Sequence, residues 1–432
     1  MTDWIGETFT STVGWDHLER LIDVGSRMAG SAGERRAAEA TRDALVAAGA
    51  RDARLSGFDL RGWTRGSSAV RADGDEVARD AVALPRSPSA AATGRLVDVG
   101  HGLPADFDRD LSGAVALART DVPDWHDRFV HRREKYCRAV EAGAAAFVFR
   151  NHVPGCLAPT GSVGGTNEPI GAVPAVGVSR EDGARLARRH TGDPVTVAVD
   201  ADIGPTTSQN VHADVGPDTD EAVLLTSHVD AHDIAEGARD NGAGTATVVE
   251  VVRALASRGG LERRVHVCCF GAEEVGLAGS SHAAAETPLD DVRAVVNLDG
   301  VVGARTLALN TNGFDGFEAA ADRVRERFDH PVVVRPELMP HSDHWPYVVD
   351  GVPGVHATSD TGDAGRGWGH TRADTLDKLE ARTLREQAVL LTALVAGVAA
   401  DPPTRRRPDA VAAQAEAENR AQGMRVTGDW PF

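Results

Sequence analysis

An α/β architecture is expected of this chain: a mainly parallel mixed sheet with helices on both faces, plus a small inserted β-rich α/β unit. Three observations lead there. From about residue 204 onward, apolar strands alternate with helices, the order that builds a parallel sheet covered on both sides. Between about 78 and 203, a second run of strands and helices keeps its own rhythm. The 432 residues are about three times the ~150 of a typical domain, and 42% of them are hydrophobic, enough to fill more than one core.

The N-terminal region holds two helical signals, WDHLERLIDVGSRM (15–28) and GERRAAEATRDALVAAG (33–49). In the second, Ala37, Ala40, Leu45 and Val46 recur at helical spacing. A short strand-like stretch follows Gly49, and ALPRSPSAAATG (83–94), rich in Pro, Ser and Ala, reads as a linker or loop. Strands are then expected at 96–100, 114–119, 145–151, 172–179 and 195–199. Helices are expected at 134–144 and 180–190, with a Gly-rich loop after Asn151. Beyond 204 the strands are AVLLTSH (222–228), VHVCCF (265–270), VRAVVNLD (292–299), TLALN (306–310), VVV (332–334) and GVHAT (354–358). Helices at 242–259, 277–286, 315–328 and 342–349 separate them, and EARTLREQAVLLTALVAGVAA (380–400) closes the series. Residues 1–77 thus rejoin 204–401 as one domain, 78–203 is an insert, and 402–432 is a tail with one exposed helix.

Asp and Glu number 64 against 46 Lys and Arg, a net charge of −18. That excess speaks against a nucleic-acid partner, because neutralising phosphates needs concentrated Lys and Arg. Lys135 and Lys378 are the only lysines, so 44 of the 46 cations are Arg. Scarce Lys with abundant Asp suits a high-salt cytoplasm, where a Debye length of ~3 Å at 1 M screens self-repulsion. A GC-rich genome would account for the Lys deficit but not for the acidity. The start MTDWIGETFTSTVGW lacks the basic and apolar regions of a signal peptide, and no apolar run approaches the ~20 residues that span a bilayer. A soluble, cytoplasmic (halophilic) protein without a membrane partner is expected. Cys137, Cys156, Cys268 and Cys269 do not make a disulfide framework at this length, and nothing near the adjacent pair would activate a thiolate.

In a parallel sheet, ligands bind beyond the carboxyl ends of the strands. Three strands here end in potential metal ligands: AVLLTS runs into His228-Val229-Asp230, VHVCCFGA into Glu273-Glu274, and VRAVVNL into Asp299. Arg239-Asp240-Asn241-Gly242 stands just before a helix, and a Gly-rich loop carries His370 and Asp374-Thr375. Each residue alone has an ordinary structural explanation. Asp240 could cap a helix, Glu273-Glu274 could start one against its dipole, His228 could be a satisfied core histidine, and Asp299-Gly300 could be a turn. Acids after a fully apolar strand, repeated at three strand ends, are not explained by solvation. Together, two histidines and several carboxylates suit zinc or a related divalent ion.

SHVDAHDIAEGARDNGAGTATVVEVVRAL, FGAEEVGLAGS, VVNLD and GHTRADT resemble the dinuclear zinc exopeptidases that include bacterial leucyl aminopeptidase, glutamate carboxypeptidase and carboxypeptidase Q. The likeness spans about residues 210–400, with a start at SRMAGSAGERRAAE (26–39), and implies the zinc-dependent exopeptidase fold. In the insert, the order helix, AGAAAFVFRN, Gly-rich loop and PAVGVSREDGARL resembles the protease-associated domain carried by many peptidases. The first resemblance implies two divalent ions, zinc by preference, with His228 and Asp299 on one, Glu274 and His370 on the other, and Asp240 bridging. It also implies Glu273 as general base and Asp230 as the group that holds the His228 ring. The roles are chemically coherent: a bridging carboxylate keeps two cations ~3.5–4 Å apart, and a water shared at that distance loses its proton near pH ~7. Glu273 can take that proton and pass it on. Side chains two apart in extended chain share a direction, as the pairing of Asp230 with His228 needs.

A similar Ser-Asp-His-x-Pro-aromatic stretch lines the substrate pocket in relatives, which places Asp343 and His344 there. Asn241 stands where a second Asp is common and still caps or hydrogen-bonds. His232-Asp233 are read as shaping the loop, Asp374-Thr375 as orienting the His370 loop, and His356 as core. The implied activity is hydrolysis of the terminal peptide bond of a short peptide by a metal-bridged hydroxide, first of all as an aminopeptidase, with a homodimer compatible. The alternative is a dipeptidase or carboxypeptidase of the carboxypeptidase Q type, which needs an Arg for the substrate carboxylate. One-zinc acyl transfer, as in glutaminyl cyclases, and a non-catalytic receptor-like protein fit less well, because no ligand is missing.

Overall fold

The computed structural model describes residues 2–165, 168–362 and 367–432, so residues 166–167 of the Gly-rich loop lie outside the described residues. Helices α1 (Asp3–Thr10), α2 (Val13–Asp23) and α3 (Ala32–Ala47) open the chain. The Ser31 hydroxyl accepts from the Glu34 N–H at 3.1 Å and so caps α3. Then come β1 (Arg51–Ala72), β2 (Asp75–Glu76), β3 (Val82–Ala83), β4 (Ala90–Asp98), β5 (Val115–Arg119), α4 (Arg132–Glu141), β6 (Ala146–Arg150), β7 (Ala175–Val178), α5 (Arg180–His190) and β8 (Pro194–Val215). The alternating part follows: β9 (Ala222–His228), α6 (Ala243–Arg258), β10 (Arg264–Phe270), α7 (Ala278–Glu286), β11 (Val292–Leu298), β12 (Leu307–Asn310), α8 (Asp315–Phe328) and β13 (Val332–Arg335). It ends with α9 (Trp345–Val348), β14 (Gly354–Ser359), α10 (Ala381–Ala400), α11 (Pro408–Ala417) and α12 (Arg420–Thr427).

The sheet runs β13-β12-β14-β11-β9-β10-β8-β4-β5-β6-β7-β3, with β1 paired to β8 and β2 to β1. At its heart β9 lies parallel to β10 and β11, and β11 parallel to β14. Every residue of β9 is buried, as a strand covered on both faces requires. Alternate residues feed two cores. Val223, Leu225 and Val296 pack with Val248 and Val252 of α6 and with Leu391 and Val395 of α10; Leu224, Cys268 and Val295 pack with Ala283 of α7 and Tyr347 of α9. By length and composition α10 could cross a membrane, yet Leu384, Leu391 and Val395 are wholly buried and it serves as a core helix.

Four expectations change. The stretch after Gly49 is a 22-residue strand, and β1 and β8 form one antiparallel ribbon from Arg51↔Asp214 to Ala72↔Val195. One end of β8 pairs with β10 and the other with β4, so the border expected at 203/204 falls inside an unbroken strand. Gly204-Pro205 reads as a breaker, but mid-ribbon neither residue is buried and no core-facing alternation marks the strand. The Pro/Ser/Ala stretch likewise ends in β4. The tail forms two helices rather than one exposed helix. Val411, Ala415 and Met424 are buried, Arg133 of α4 pairs with Asp429 and donates to the Thr427 carbonyl at 3.0 Å, and Gln422 accepts from Arg128 at 3.2 Å.

Candidate metal centre

Parallel pairing brings the carboxyl ends of β9, β10 and β11 out at one edge, so His228, the 271–274 turn and Asp299 emerge side by side. Asp240, in the turn before α6, reaches between them. Its Oδ1 lies 3.4 Å from His228 Nε2, which is 3.8 Å from Asp299 Oδ1. Its Oδ2 lies 3.2 Å from His370 Nε2, which is 3.3 Å from Glu274 Oε2. The two oxygens of one carboxylate therefore face two different donor groups. His232, read from sequence as shaping the loop, joins the second group: its Nε2 is 2.8 Å from Glu274 Oε2 and its ring stands edge-on to His370 at 4.5 Å. Asp233 does hold the loop, accepting from Arg65 Nε and Nη2 at 2.9 and 2.6 Å.

The supporting bonds explain how these side chains are placed. Asp230 is fully buried, and its carboxylate accepts from the backbone N–H of Glu273 at 3.1 Å and of Glu274 at 3.2 Å. Its Oδ1 is 3.4 Å from His228 Nδ1, which lies closer, at 3.1 Å, to the Asp230 carbonyl. Asp230 thus joins two strand ends as well as touching the ring. Asp374, expected to orient the His370 loop, instead accepts from the N–H groups of Arg239 and Asp240 at 2.8 and 3.1 Å and so fixes the Asp240 turn. Asn241 donates to the Leu298 carbonyl at 2.8 Å and accepts from Gly244 N–H at 3.1 Å. Gly244 is needed there: a Cβ would sit 2.1 Å from the Asn241 oxygen and 2.6 Å from the Leu298 oxygen. His370 adopts φ +58, uncommon for a residue with a Cβ, and the insert holds it there through Thr160 N–H donating to its carbonyl at 2.8 Å.

Three residues escape sequence reasoning. Arg27 is buried and donates to the carbonyls of Leu21, Val229, Glu236 and Gly237 at 2.8–3.1 Å, bracing the loop around His232. Glu34, also buried, accepts from Ala272 N–H at 3.0 Å and Ser208 at 2.8 Å, next to Glu273. Ser342 donates to Asp299 Oδ2 at 2.7 Å and accepts from Asn297 at 2.8 Å, which in turn accepts from Thr226 at 2.7 Å. One of 44 arginines and a helix-start serine carry no local signature of such roles. The same stretch corrects the pocket assignment: Asp343 and His344 are wholly buried, so neither lines a pocket open to substrate. Burial pushes the Asp343 carboxyl up to about 8, and the His344 ring packs 5.7 Å from His356.

The electrostatics call for cations. Burial works to lower the His228 pKa, but Glu273, Asp230, Asp240 and Asp299 outweigh it and hold the imidazole well above its ordinary value. Burial, opposed by His228, lifts Glu273 well above the usual carboxyl range. Buried acids this dense need positive charge or protons. His228 Nε2, His232 Nε2 and Glu274 Oε1 are buried without hydrogen-bond partners among the described residues. A cavity of about 10 Å³ lies between His232, Gly237, Asp240, Glu274 and His370, room for one water-sized particle. Imidazole and carboxylate donors in two clusters, His228-Asp240-Asp299 and His232-Glu274-His370, fit zinc or a related divalent ion.

Comparison with known proteins agrees with this geometry. Residues 210–395 match Peptidase family M28 and residues 91–186 match the PA domain. Aminopeptidase YwaD of Bacillus subtilis (strain 168) is 28% identical over 398 residues, covering 86% of this chain and 81% of that protein. The probable leucine aminopeptidase 2 of Aspergillus fumigatus is 28% identical over 312 residues, covering 67% of this chain but only 60% of that protein. Among solved structures, a Peptidase M28 precursor from Shewanella amazonensis SB2B matches with a TM-score of 0.76 at 24% identity, covering 94% of this chain and 97% of that one. BSAP, a zinc aminopeptidase from Bacillus subtilis, matches with 0.69 at 24% identity, covering 90% and 94%. At that identity the likeness establishes the fold.

Proposed function

We propose that this hydrolase, whose residues 210–395 match peptidase family M28 and whose insert matches the PA domain, is a member of that family and a two-metal aminopeptidase acting on short peptides. The observation that carries the reading is Asp240, with one carboxylate oxygen facing His228 and the other facing His370. The aminopeptidase names of the Bacillus and Aspergillus relatives support release of N-terminal residues, and BSAP, being a zinc aminopeptidase, supports zinc as the metal. His228, Asp240 and Asp299 would hold one ion, and Asp240, Glu274 and His370 the other. When bound, such a pair supplies Lewis-acid activation of the attacking water and of the scissile carbonyl. Glu273 accepts the proton of that water on its carboxylate and returns it to the leaving amine. Asp230 holds the Glu273-Glu274 backbone in register, and Ser342 occupies Asp299 Oδ2 so that Oδ1 is left for the centre. The −18 charge supports a high-salt cytoplasm as the place of work.

One observation favours a dipeptidase or carboxypeptidase. Arg132, on α4 of the insert, has Nη1 3.5 Å from His370 Nδ1, and its guanidinium lies against Gly161, where a Cβ would stand 2.1 Å from Cζ. A cation so close to the site is the kind of group that grips a substrate carboxylate. The test is an assay of the zinc-loaded chain in high salt against amino-acyl anilides, dipeptides and N-blocked peptides. Cleavage of anilides, with N-blocked peptides spared, is the expected result. Cleavage confined to N-blocked peptides with a free carboxyl end would overturn the aminopeptidase assignment in favour of the second reading.

A further inference from the structure

We infer that His232 is a sixth protein ligand of the centre, on the Glu274–His370 side, an inference that rests on the two-metal reading. The family resemblance supplies five ligands and no role for this position. The structure supplies one. His232 Nε2 lies 2.8 Å from Glu274 Oε2, the same oxygen that lies 3.3 Å from His370 Nε2. Two imidazole nitrogens thus converge on one carboxylate oxygen inside a water-sized cavity that His232 itself lines. The ring is 5% exposed, its Nδ1 has no hydrogen-bond partner among the described residues, and its Nε2 faces Glu274 Oε2. A buried imidazole whose Nε2 faces only a carboxylate oxygen shared with a second imidazole is placed as a ligand is.

The loop around it is built to hold that position. Ala231 N–H donates to the Arg27 carbonyl at 3.1 Å, and Asp233 takes the bidentate grip of Arg65, so both neighbours of His232 are pinned. The two sides of the centre then differ in chemistry. The His228 side offers one imidazole and two carboxylates; the His370 side offers two imidazoles and two carboxylates, counting Asp240 on both. The nitrogen-richer side should prefer zinc or cobalt over magnesium or manganese and leave one fewer position open to water or substrate.

The bland alternative is that His232 only steadies Glu274 by donating a proton to it. Proton NMR of the full chain loaded with Co2+ separates the two, because rings bound to the paramagnetic ion give strongly shifted signals whatever the activity. Three shifted imidazole sets are expected in the unaltered protein, falling to two in His232→Phe. Competition with a chromogenic chelator should show the affinity of one site reduced about 10–100-fold in that variant while the other is unchanged. Two sets in the unaltered protein overturn the inference, even if the variant does not fold, and so do three sets persisting in His232→Phe. Absence of any tightly bound Co2+ would instead overturn the two-metal reading itself.

Discussion

Asp230→Asn isolates a buried carboxylate that joins two strand ends. Both oxygens of Asp230 accept backbone hydrogen bonds, from Glu273 and Glu274. The amide keeps one acceptor and turns its NH2 toward the other N–H. One charge-assisted bond worth ~1.5–3 kcal/mol is lost, and a buried N–H left without an acceptor costs ~1–3 kcal/mol more, so the gross penalty is roughly 3–6 kcal/mol. A second effect opposes it. Glu34 and Asp343 are pushed up first by burial and then by the Asp230 charge, so removing that charge relieves repulsion. In metal-free protein that relief is set against the lost attraction of Asp230 for His228 and Arg27, so the net destabilisation should stay within the range; bound cations would cancel the repulsion and expose the full penalty. Zinc affinity should drop about 10–100-fold, as for other groups that orient ligands. Denaturant unfolding with and without zinc, together with chelator competition, measures both. A variant that binds two ions with unchanged affinity and unfolds at the same midpoint would refute the linking role.

Three further outcomes follow from the same geometry. Glu273→Gln should retain its metal content and lose about 10²–10⁴-fold in turnover, since it removes the proton acceptor alone; near-full activity on an anilide substrate would rule out Glu273 as base. Ser342→Ala frees Asp299 Oδ2 and should weaken one metal site about tenfold or more while leaving the fold intact, read by metal titration with circular dichroism as control. His17, whose Nε2 lies 3.1 Å from the Thr41 hydroxyl, has its pKa lowered to about 3 by burial, with Arg20 and Arg27 adding to the effect. The unfolded chain takes up a proton near pH 6.5 that the folded chain refuses, so stability is complete above pH 6.5 and is lost as pH falls toward 3, to a total of about 5 kcal/mol. Metal-free His17→Gln should lose stability with acid less steeply, by up to about 1.4 kcal/mol per pH unit; parallel slopes would count against the buried neutral ring.

What sequence reasoning reaches and what it misses divide along a physical line. His228, Glu273, Glu274 and Asp299 follow apolar strands, and Asp240 precedes a helix; once the sheet is parallel, local pattern alone carries them to the same edge. His232 lies beyond the strand in a loop, where no periodicity says which way a side chain turns. Arg27, Glu34 and Ser342 act through partners far along the chain (Gly237, Ala272 and Asp299), and such pairings are set by tertiary approach. The pocket placement of Asp343 and His344 rests on a motif whose spacing says nothing about exposure. The long strands read short because most of β1 and the middle of β8 alternate between half-buried and exposed positions, and the buried residues of β1 (Phe58, Trp63, Ala69, Val70 and Ala72) are too scattered to mark an apolar face.

The β1–β8 ribbon also bears on the order in which the chain can assemble. Its outer pair, Arg51 and Asp214, is 163 positions apart, whereas Ala90 and Val199 are already neighbours once the insert has formed. A folded insert shortens the loop that must close before Ala72 meets Val195 to about twenty residues. By loop-closure entropy this saves about 2 kcal/mol relative to pairing Arg51 with Asp214 first. Zipping outward from Ala72↔Val195, with β8 reaching β10 last, is the expected order. In refolding, substitutions that slow collapse of the Phe147–Ala175 core of the insert should delay recovery of metal binding, while the same change at Val395 of α10 should not delay ribbon formation. The insert then acts as a clasp that closes before the catalytic sheet can.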